Sequence, residues 1–322
     1  MRCFLTAELV GKRTRKELIV QPADGRQPLL DGINRAKKTL DLIIFRLDIK
    51  DVEKTIEDAV GRGVNVRALI TYTHSGPDRR LRQLELRMLE KGVTVSRTND
   101  DLVRYHGKMM IVDREELHVY GFNYTAVDLK SRSFGIVTRD RKMVQEAQRL
   151  FEVDQARRVD FEPELDGFVV SPENAREQLA TFIKRTKKSL AIYDPKVTDT
   201  QMLRLLTQKV KDGIDIRVIG KVGKRGGGIR VQKMPGMRLH VRAMIRDGDA
   251  VFVGSQSLRA LELDGRREVG LIVKDAAIVK RIQEVFEEDW GKTEFGRKEQ
   301  KQFEKELKQA DSEEVILEVP HT

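Results

Sequence analysis

The sequence predicts an α/β protein made of two related halves, each a mixed sheet flanked by helices. Three observations point there. Short segments of the first half recur, in the same order, in the second. Apolar runs of strand length alternate with segments of helical spacing, the pattern of layered α/β folds. At 322 residues, 39% hydrophobic and 35% charged, the chain can bury one large core or two ordinary ones.

The repeat starts with Ala36-Lys37-Lys38-Thr39-Leu40-Asp41-Leu42, which matches Thr186-Lys187-Lys188-Ser189-Leu190-Ala191-Ile192. Gly63-Val64-Asn65-Val66-Arg67 then matches Gly213-Ile214-Asp215-Ile216-Arg217, and His106 to Asp113 matches His240 to Asp247. Phe134-Gly135-Ile136-Val137 pairs with Val269-Gly270-Leu271-Ile272, and Phe151-Glu152-Val153-Asp154-Gln155 with Phe286-Glu287-Glu288-Asp289-Trp290. Such order-preserving self-similarity marks a duplication. In the first half, Leu40–Phe45, Val66–Ile70 and Met109–Val112 suit buried strands, and 51–62, 78–91 and 141–153 carry helical spacing. In the second half, strands are predicted at 190–193, 214–219, 243–245, 250–253 and 269–273, and helices at 173–187, 200–212 and 276–288. The expected organisation is a first half over 1–160, a second over 161–295, and a charged helical tail over 296–322, with an exposed helix at 297–309.

The halves differ between the second strand and the histidine motif. The first has a helical segment there; the second runs Lys221-Val222-Gly223-Lys224-Arg225-Gly226-Gly227-Gly228. Freed backbone amides and three cations suit a phosphate, and a plain surface connection fits equally well. Lys and Arg exceed Asp and Glu by ten, 61 against 51. That balance favours an anionic partner, nucleic acid or an acidic membrane surface, with a merely lysine-rich surface as the alternative. The single cysteine, Cys3, excludes an internal disulfide framework and a cysteine metal cluster, which fits a reducing, cytoplasmic setting. The N-terminal stretch lacks a signal-peptide core, and no run approaches the roughly 18 apolar residues of a membrane span.

The chemistry lies in two motifs. His106-Gly107-Lys108 with Asp113 reads H-x-K-x4-D, and His240-Val241-Arg242 with Asp247 reads H-x-R-x4-D. Composition alone would give two of the five histidines this spacing with a probability of roughly one or two in a thousand. On a strand, residues i and i+2 share a face, so each imidazole projects beside a cation. The cation neutralises phosphate oxygens while the imidazole works on phosphorus or on the leaving group. Two such pairs supply a nucleophile, a general acid and a clamp, and require neither metal nor cofactor. His74 precedes a turn, His118 lies on a strand-like run, and His321 is in the tail; none has a motif around it.

These residues resemble the phospholipase D superfamily, and the likeness spans roughly 28–292. It includes Gly254-Ser255-Gln256-Ser257, Arg267-Glu268-Val269-Gly270 and Phe286-x-x-Asp289-Trp290, which look most like the bacterial cardiolipin-synthase and phosphatidyltransferase-like branch. Gly121-Phe122-Asn123-Tyr124-Thr125 is closer to the nuclease-like pattern. The resemblance implies two α/β domains with pseudo-twofold symmetry, one site at their interface and a phosphohistidine intermediate. It makes His106 and His240 the catalytic histidines and Lys108 and Arg242 the phosphate-binding cations. Asn123, Ser255 and Ser257 become substrate-contact positions, and Asp113 and Asp247 local supports. Three positions depart from the family pattern. Arg242 replaces a lysine, Ser257 stands where a second asparagine belongs, and Ser133 stands where an acid matching Glu268 belongs. By the same resemblance Glu268 orients His106, which makes His106 the nucleophile and His240 the general acid.

Three functions follow from the sequence. The first is a phosphodiesterase or phosphatidyl transferase acting on phospholipid, visiting the inner membrane face from the cytoplasm. The second is a metal-independent nuclease of the same superfamily. The third is a degenerate anion-binding protein, kept open by Arg242, Ser257 and Ser133. With both motifs in one chain, an oligomer is not required.

Overall fold

The structure, a computed structural model, describes residues 16–72, 79–224 and 226–302. His74, Arg225, His321 and the far part of the 297–309 segment lie outside them; 294–302 is helical. The first half runs β1 (Glu17–Gln21), α1 (Gln27–Arg35), β2 (Thr39–Ile44), α2 (Lys50–Gly61), β3 (Asn65–Ile70), α3 (Arg79–Glu90) and β4 (Thr94–Arg97). It continues with β5 (Arg104–Tyr105), β6 (Met109–Val112), β7 (Glu116–Tyr120), α4 (Ala126–Leu129), β8 (Ser133–Thr138) and α5 (Arg141–Gln155). The second half runs β9 (Phe168–Ser171), α6 (Ala175–Lys184), β10 (Ser189–Val197), α7 (Thr200–Lys211), β11 (Asp215–Val222) and β12 (Arg230–Gln232). It closes with β13 (Arg242–Arg246), β14 (Ala250–Gly254), α8 (Ala260–Asp264), β15 (Arg266–Val273) and α9 (Ala276–Gly291).

Local chemistry explains the repeated elements. In α2, Val52, Ile56 and Ala59 fall on one face and are buried. Gly63 and Gly213 follow α2 and α7 with φ of 84° and 80°, the left-handed stop that glycine adopts without strain. Asp140, Asp199 and Asp275 cap α5, α7 and α9 through their side chains. The matched strands pair in matched register, Leu40 with Val66 and Leu190 with Ile216.

Both sheets are mixed. The first has the order β1-β8-β7-β6-β2-β3-β4 and the second β12-β11-β10-β13-β14-β15-β5, with β9 also on β15. The parallel runs β2-β3-β4 and β10-β11-β12 correspond. The outer face of the first sheet packs on α1, α2 and α3, and that of the second on α6 and α7. The inner faces of both sheets join α5 and α9 in one shared apolar core. The halves also exchange structure: β5, from the first, pairs in parallel with β15 of the second.

Candidate active site

The motif histidines stand just ahead of β6 and β13 rather than within them. Each is tied to the opposite half. The His106 amide donates to the Arg267 carbonyl at 2.7 Å, and the His240 amide to the Arg132 carbonyl at 3.2 Å. The same two arginines form buried ion pairs across the halves. Arg132 donates from Nε and Nη2 to Asp289 at 2.6 and 2.9 Å, and Arg267 donates from Nε to Asp154 at 3.2 Å. Gly107 fits because a Cβ there would stand 3.1 Å from Val269 Cγ2. The duplicated Phe-x-x-Asp segments thus meet the duplicated arginines crosswise.

His106 has the tighter setting. Its Nδ1 lies 2.8 Å from Glu268 Oε2, and both side chains are buried. With Nδ1–H donated to Glu268, Nε2 keeps its lone pair. Lys108 Nζ is 2.8 Å from Nε2 and donates to the His106 carbonyl at 2.7 Å. Phe45 meets the ring edge-on at 4.5 Å between centroids. Burial first, then Lys108 and Arg242, hold His106 well below the ordinary histidine range, so it is neutral near pH 7. Burial also pushes Lys108 down to about 7, against the pull of Glu268. Burial raises Glu268, opposed by Lys108.

His240 faces a different acid. Its Nδ1 is buried without a hydrogen-bond partner and lies 3.6 Å from Asp128 Oδ2. Burial and then Arg242 hold His240 well below its usual pKa. Burial works to raise Asp128, but the Asn123 amide and side chain and the Arg238 guanidinium outweigh it and hold its pKa down. Ser133, at the position matching Glu268, is fully buried with an unpartnered Oγ. The counterpart acid is therefore Asp128, five residues upstream. A repeat offset marks it: Asp128 follows Asn123 by five residues as Glu262 follows Ser257, and each carboxylate accepts that residue's amide at 2.8 Å. Arg242 mirrors Lys108, donating to its own histidine's carbonyl at 2.7 Å, with Nε buried and unpartnered.

The remaining sequence candidates divide. Asn123 lines the site, with Nδ2 donating to Asp128 at 2.6 Å and Oδ1 unpartnered. Ser257 turns inward, its hydroxyl donating to Asp194 at 2.8 Å, and Ser255 Oγ accepts from the Val269 amide at 3.2 Å. Both serines are buried and off the cavity wall. Asp113 accepts from the amides of Lys37, Lys38 and Thr39, and Asp247 from those of Lys187, Lys188 and Ser189. Each thereby fixes the turn entering β2 or β10. His118 sits between Glu116 and Tyr120, at 2.6 and 2.8 Å, away from the site. Of the glycine-rich loop, the described residues do not line the cavity.

The two histidines share a cavity of about 520 Å³. Asn123, Asp128, Arg46 and Arg238 form its polar wall, and Phe45, Leu47, Leu81 and Leu84 its apolar one. A larger cavity of about 630 Å³ beside α6 contains none of these groups. The arrangement presents one unprotonated imidazole backed by a carboxylate and a second imidazole across the cavity, with the buried Lys108 and the partly buried Arg242 each tied to its own histidine's carbonyl.

Comparisons with known proteins bear on the family and the fold. The family described as cardiolipin synthase, PLD-like domain, matches residues 29–155 and 179–290, once per half. No curated protein sequence matches the chain. Among solved structures, the polyphosphate kinase of Porphyromonas gingivalis is similar with a TM-score of 0.69 and 17% identity, over 85% of this chain and 50% of that one. The phosphatidylserine synthase of Haemophilus influenzae is similar with a TM-score of 0.68 and 10% identity, over 86% of each chain. At these identities the structural likeness speaks to fold alone. The doubled family match over most of the chain carries the assignment: this chain belongs to the phospholipase D superfamily, in the family of cardiolipin-synthase PLD-like domains.

Proposed function

We propose that the chain is a phosphodiesterase or phosphatidyl transferase that acts on phospholipid through a phosphohistidine on His106. The observation that carries this reading is the buried His106–Glu268 contact at 2.8 Å, with His240 across the same cavity. Nε2 of His106 attacks phosphorus, and the bond from phosphorus to the leaving alcohol oxygen breaks. Glu268 stabilises the positive charge that develops on the ring. Lys108 and Arg242 take the non-bridging oxygens. His240 supplies the leaving oxygen with a proton. Bound phosphate offsets the Lys108 and Arg242 charges that help hold His240 deprotonated, so substrate itself raises the protonated fraction. In the second step His240 takes the proton of water or an alcohol as that oxygen attacks phosphorus and releases His106.

The apolar wall of Phe45, Leu47, Leu81 and Leu84 supports a lipid over a fully polar substrate. Among the described residues no helix is long and apolar enough to cross a membrane, so we place lipid encounter at an anionic membrane surface, approached from one side. The test is turnover of bis(p-nitrophenyl) phosphate in EDTA, followed by headgroup release from anionic vesicles, for wild type, His106→Ala and His240→Ala. Activity in EDTA that both variants lose, together with headgroup release, is the expected result. Cleavage of oligonucleotides without headgroup release would move the assignment to a nuclease. Binding of phosphate without turnover of any diester would leave an anion-binding protein.

A further inference from the structure

Beside the two histidines the chain assembles more positive charge than one phosphodiester needs. Phe45, edge-on to His106, has the Arg46 and Arg104 guanidinium carbons each 5.4 Å from its ring centroid, and Lys108 Nζ at the same distance. The parallel pairing of β5 with β15 sets Arg104 directly opposite Arg266. Like charges opposed on neighbouring strands repel. Among the described residues neither Arg46 nor Arg104 forms an ion pair with a carboxylate. Arg266 reaches Glu262 at 3.2 Å and Glu268 at 3.9 Å through Nη1, while its Nε is buried without a partner. Burial, and then repulsion from Arg266 and Arg46, pull the Arg104 pKa down. Arg46 and Arg104, which flank one ring without an ion pair of their own among the described residues, and Arg266 opposite Arg104 are stabilised by an anion placed among them.

We propose that Arg46, Arg104 and Arg266 form a second anion subsite, which takes a further phosphate of a substrate carrying at least two. The inference rests on the proposed phosphodiester reading of the histidine site and extends it. The reacting phosphate sits on Lys108 and Arg242, and its neighbour in the same molecule is taken by the arginines on the Phe45 side. The ligand is therefore a polyphosphate-bearing molecule, and the second phosphate comes from either a lipid headgroup or a soluble condensed phosphate.

The experiment is titration calorimetry of the full chain with orthophosphate and with tripolyphosphate, at fixed salt and in EDTA. Wild type should bind tripolyphosphate at least about tenfold more tightly, as one added charged hydrogen-bonded contact predicts. Arg104→Gln should remove most of that preference while leaving orthophosphate affinity within about twofold, and Arg46→Gln, at the wall of the histidine cavity, should also remove most of it. Arg281→Gln, which removes the same charge from the solvent side of α9, should change neither. The proposal is overturned if the Arg104 and Arg46 variants keep the preference, or if Arg281→Gln lowers it equally, since the effect would then be the general field of a basic protein. Sedimentation with vesicles of a one-phosphate or a two-phosphate lipid assigns the source. A two-phosphate preference lost in Arg104→Gln identifies a headgroup; a tripolyphosphate preference without it identifies a soluble ligand. Calorimetry needs no turnover. An inactive protein with the expected pattern keeps the subsite and loses the phospholipase reading, and an active one without it does the reverse.

Discussion

Replacing Glu268 by glutamine removes one negative charge and almost no volume. The wild-type carboxylate lies 2.8 and 3.1 Å from His106 Nδ1 and is fully buried. The glutamine carbonyl can still accept from Nδ1–H, so the ring keeps its tautomer and its place. What disappears is the charge-assisted part of the bond, which matters most once His106 carries phosphorus and becomes cationic. Hydrogen bonds to charged groups are worth about 1.5–3 kcal/mol, and each 1.4 kcal/mol is about tenfold in rate. Glu268→Gln should therefore lower kcat about 10- to 150-fold. KM should change little, because the contact strengthens in the transition state rather than in the bound substrate. The assay is turnover of bis(p-nitrophenyl) phosphate in EDTA, with a melting curve to show that the variant is folded. A folded Glu268→Gln protein with kcat within about twofold of wild type, while His106→Ala is inactive, would refute the reasoning.

Lys108 is charged below its depressed pKa of about 7 and neutral above it. For an anionic diester kcat/KM should fall as pH rises through about 7, and Lys108→Arg should flatten that alkaline limb; a wild-type profile flat from pH 6 to about 9 contradicts the assignment. Asp128→Asn should lower kcat less than Glu268→Gln, about two- to tenfold, because its contact with His240 is looser; a loss equal to that of Glu268→Gln would mean the two acids are equivalent. His106, His118 and His240 are buried and held below the ordinary value of 6.5. The unfolded chain therefore takes up protons that the folded one refuses. The stability they contribute is complete above pH 6.5 and is lost as the pH falls below it. The melting temperature should drop between about pH 7 and pH 5, less steeply in His118→Gln, as differential scanning fluorimetry would show; an unchanged melting temperature over that range would contradict the burial argument.

The repeat made most of the fold legible, because the same local devices recur at the same spacing. Gly63 and Gly213 stop helices, and Asp113 and Asp247 gather three amides each. The signals failed where geometry overrides local pattern. Helix α1 carries Pro28, which its first turn accommodates, and Gly32, which weakens the helical pattern. A Cβ at Gly32 would come within 2.9 Å of Cε1 on the buried His118 ring. Strand β5 has two residues, too few for any period, and its partner lies 162 positions away in register. Ser133 stands where the repeat leads one to expect an acid, and the carboxylate that reaches His240, Asp128, comes from another point of the chain. Ser255 and Ser257 kept the family spacing while turning their hydroxyls into the protein.

The crossed arginine–aspartate pairs, Arg132 with Asp289 and Arg267 with Asp154, bear on how the chain came about and on whether it can be divided. Two copies of one ancestral chain, facing each other, would make the same bridge twice, so each half is built as one subunit of a fused homodimer. A cut within 158–163 would leave each fragment holding a buried charge whose counter-ion is on the other piece, and losing one partner of such a pair costs about 3–5 kcal/mol. The halves should therefore melt in a single cooperative transition, and separately produced fragments should recover a working pair of histidines only when mixed.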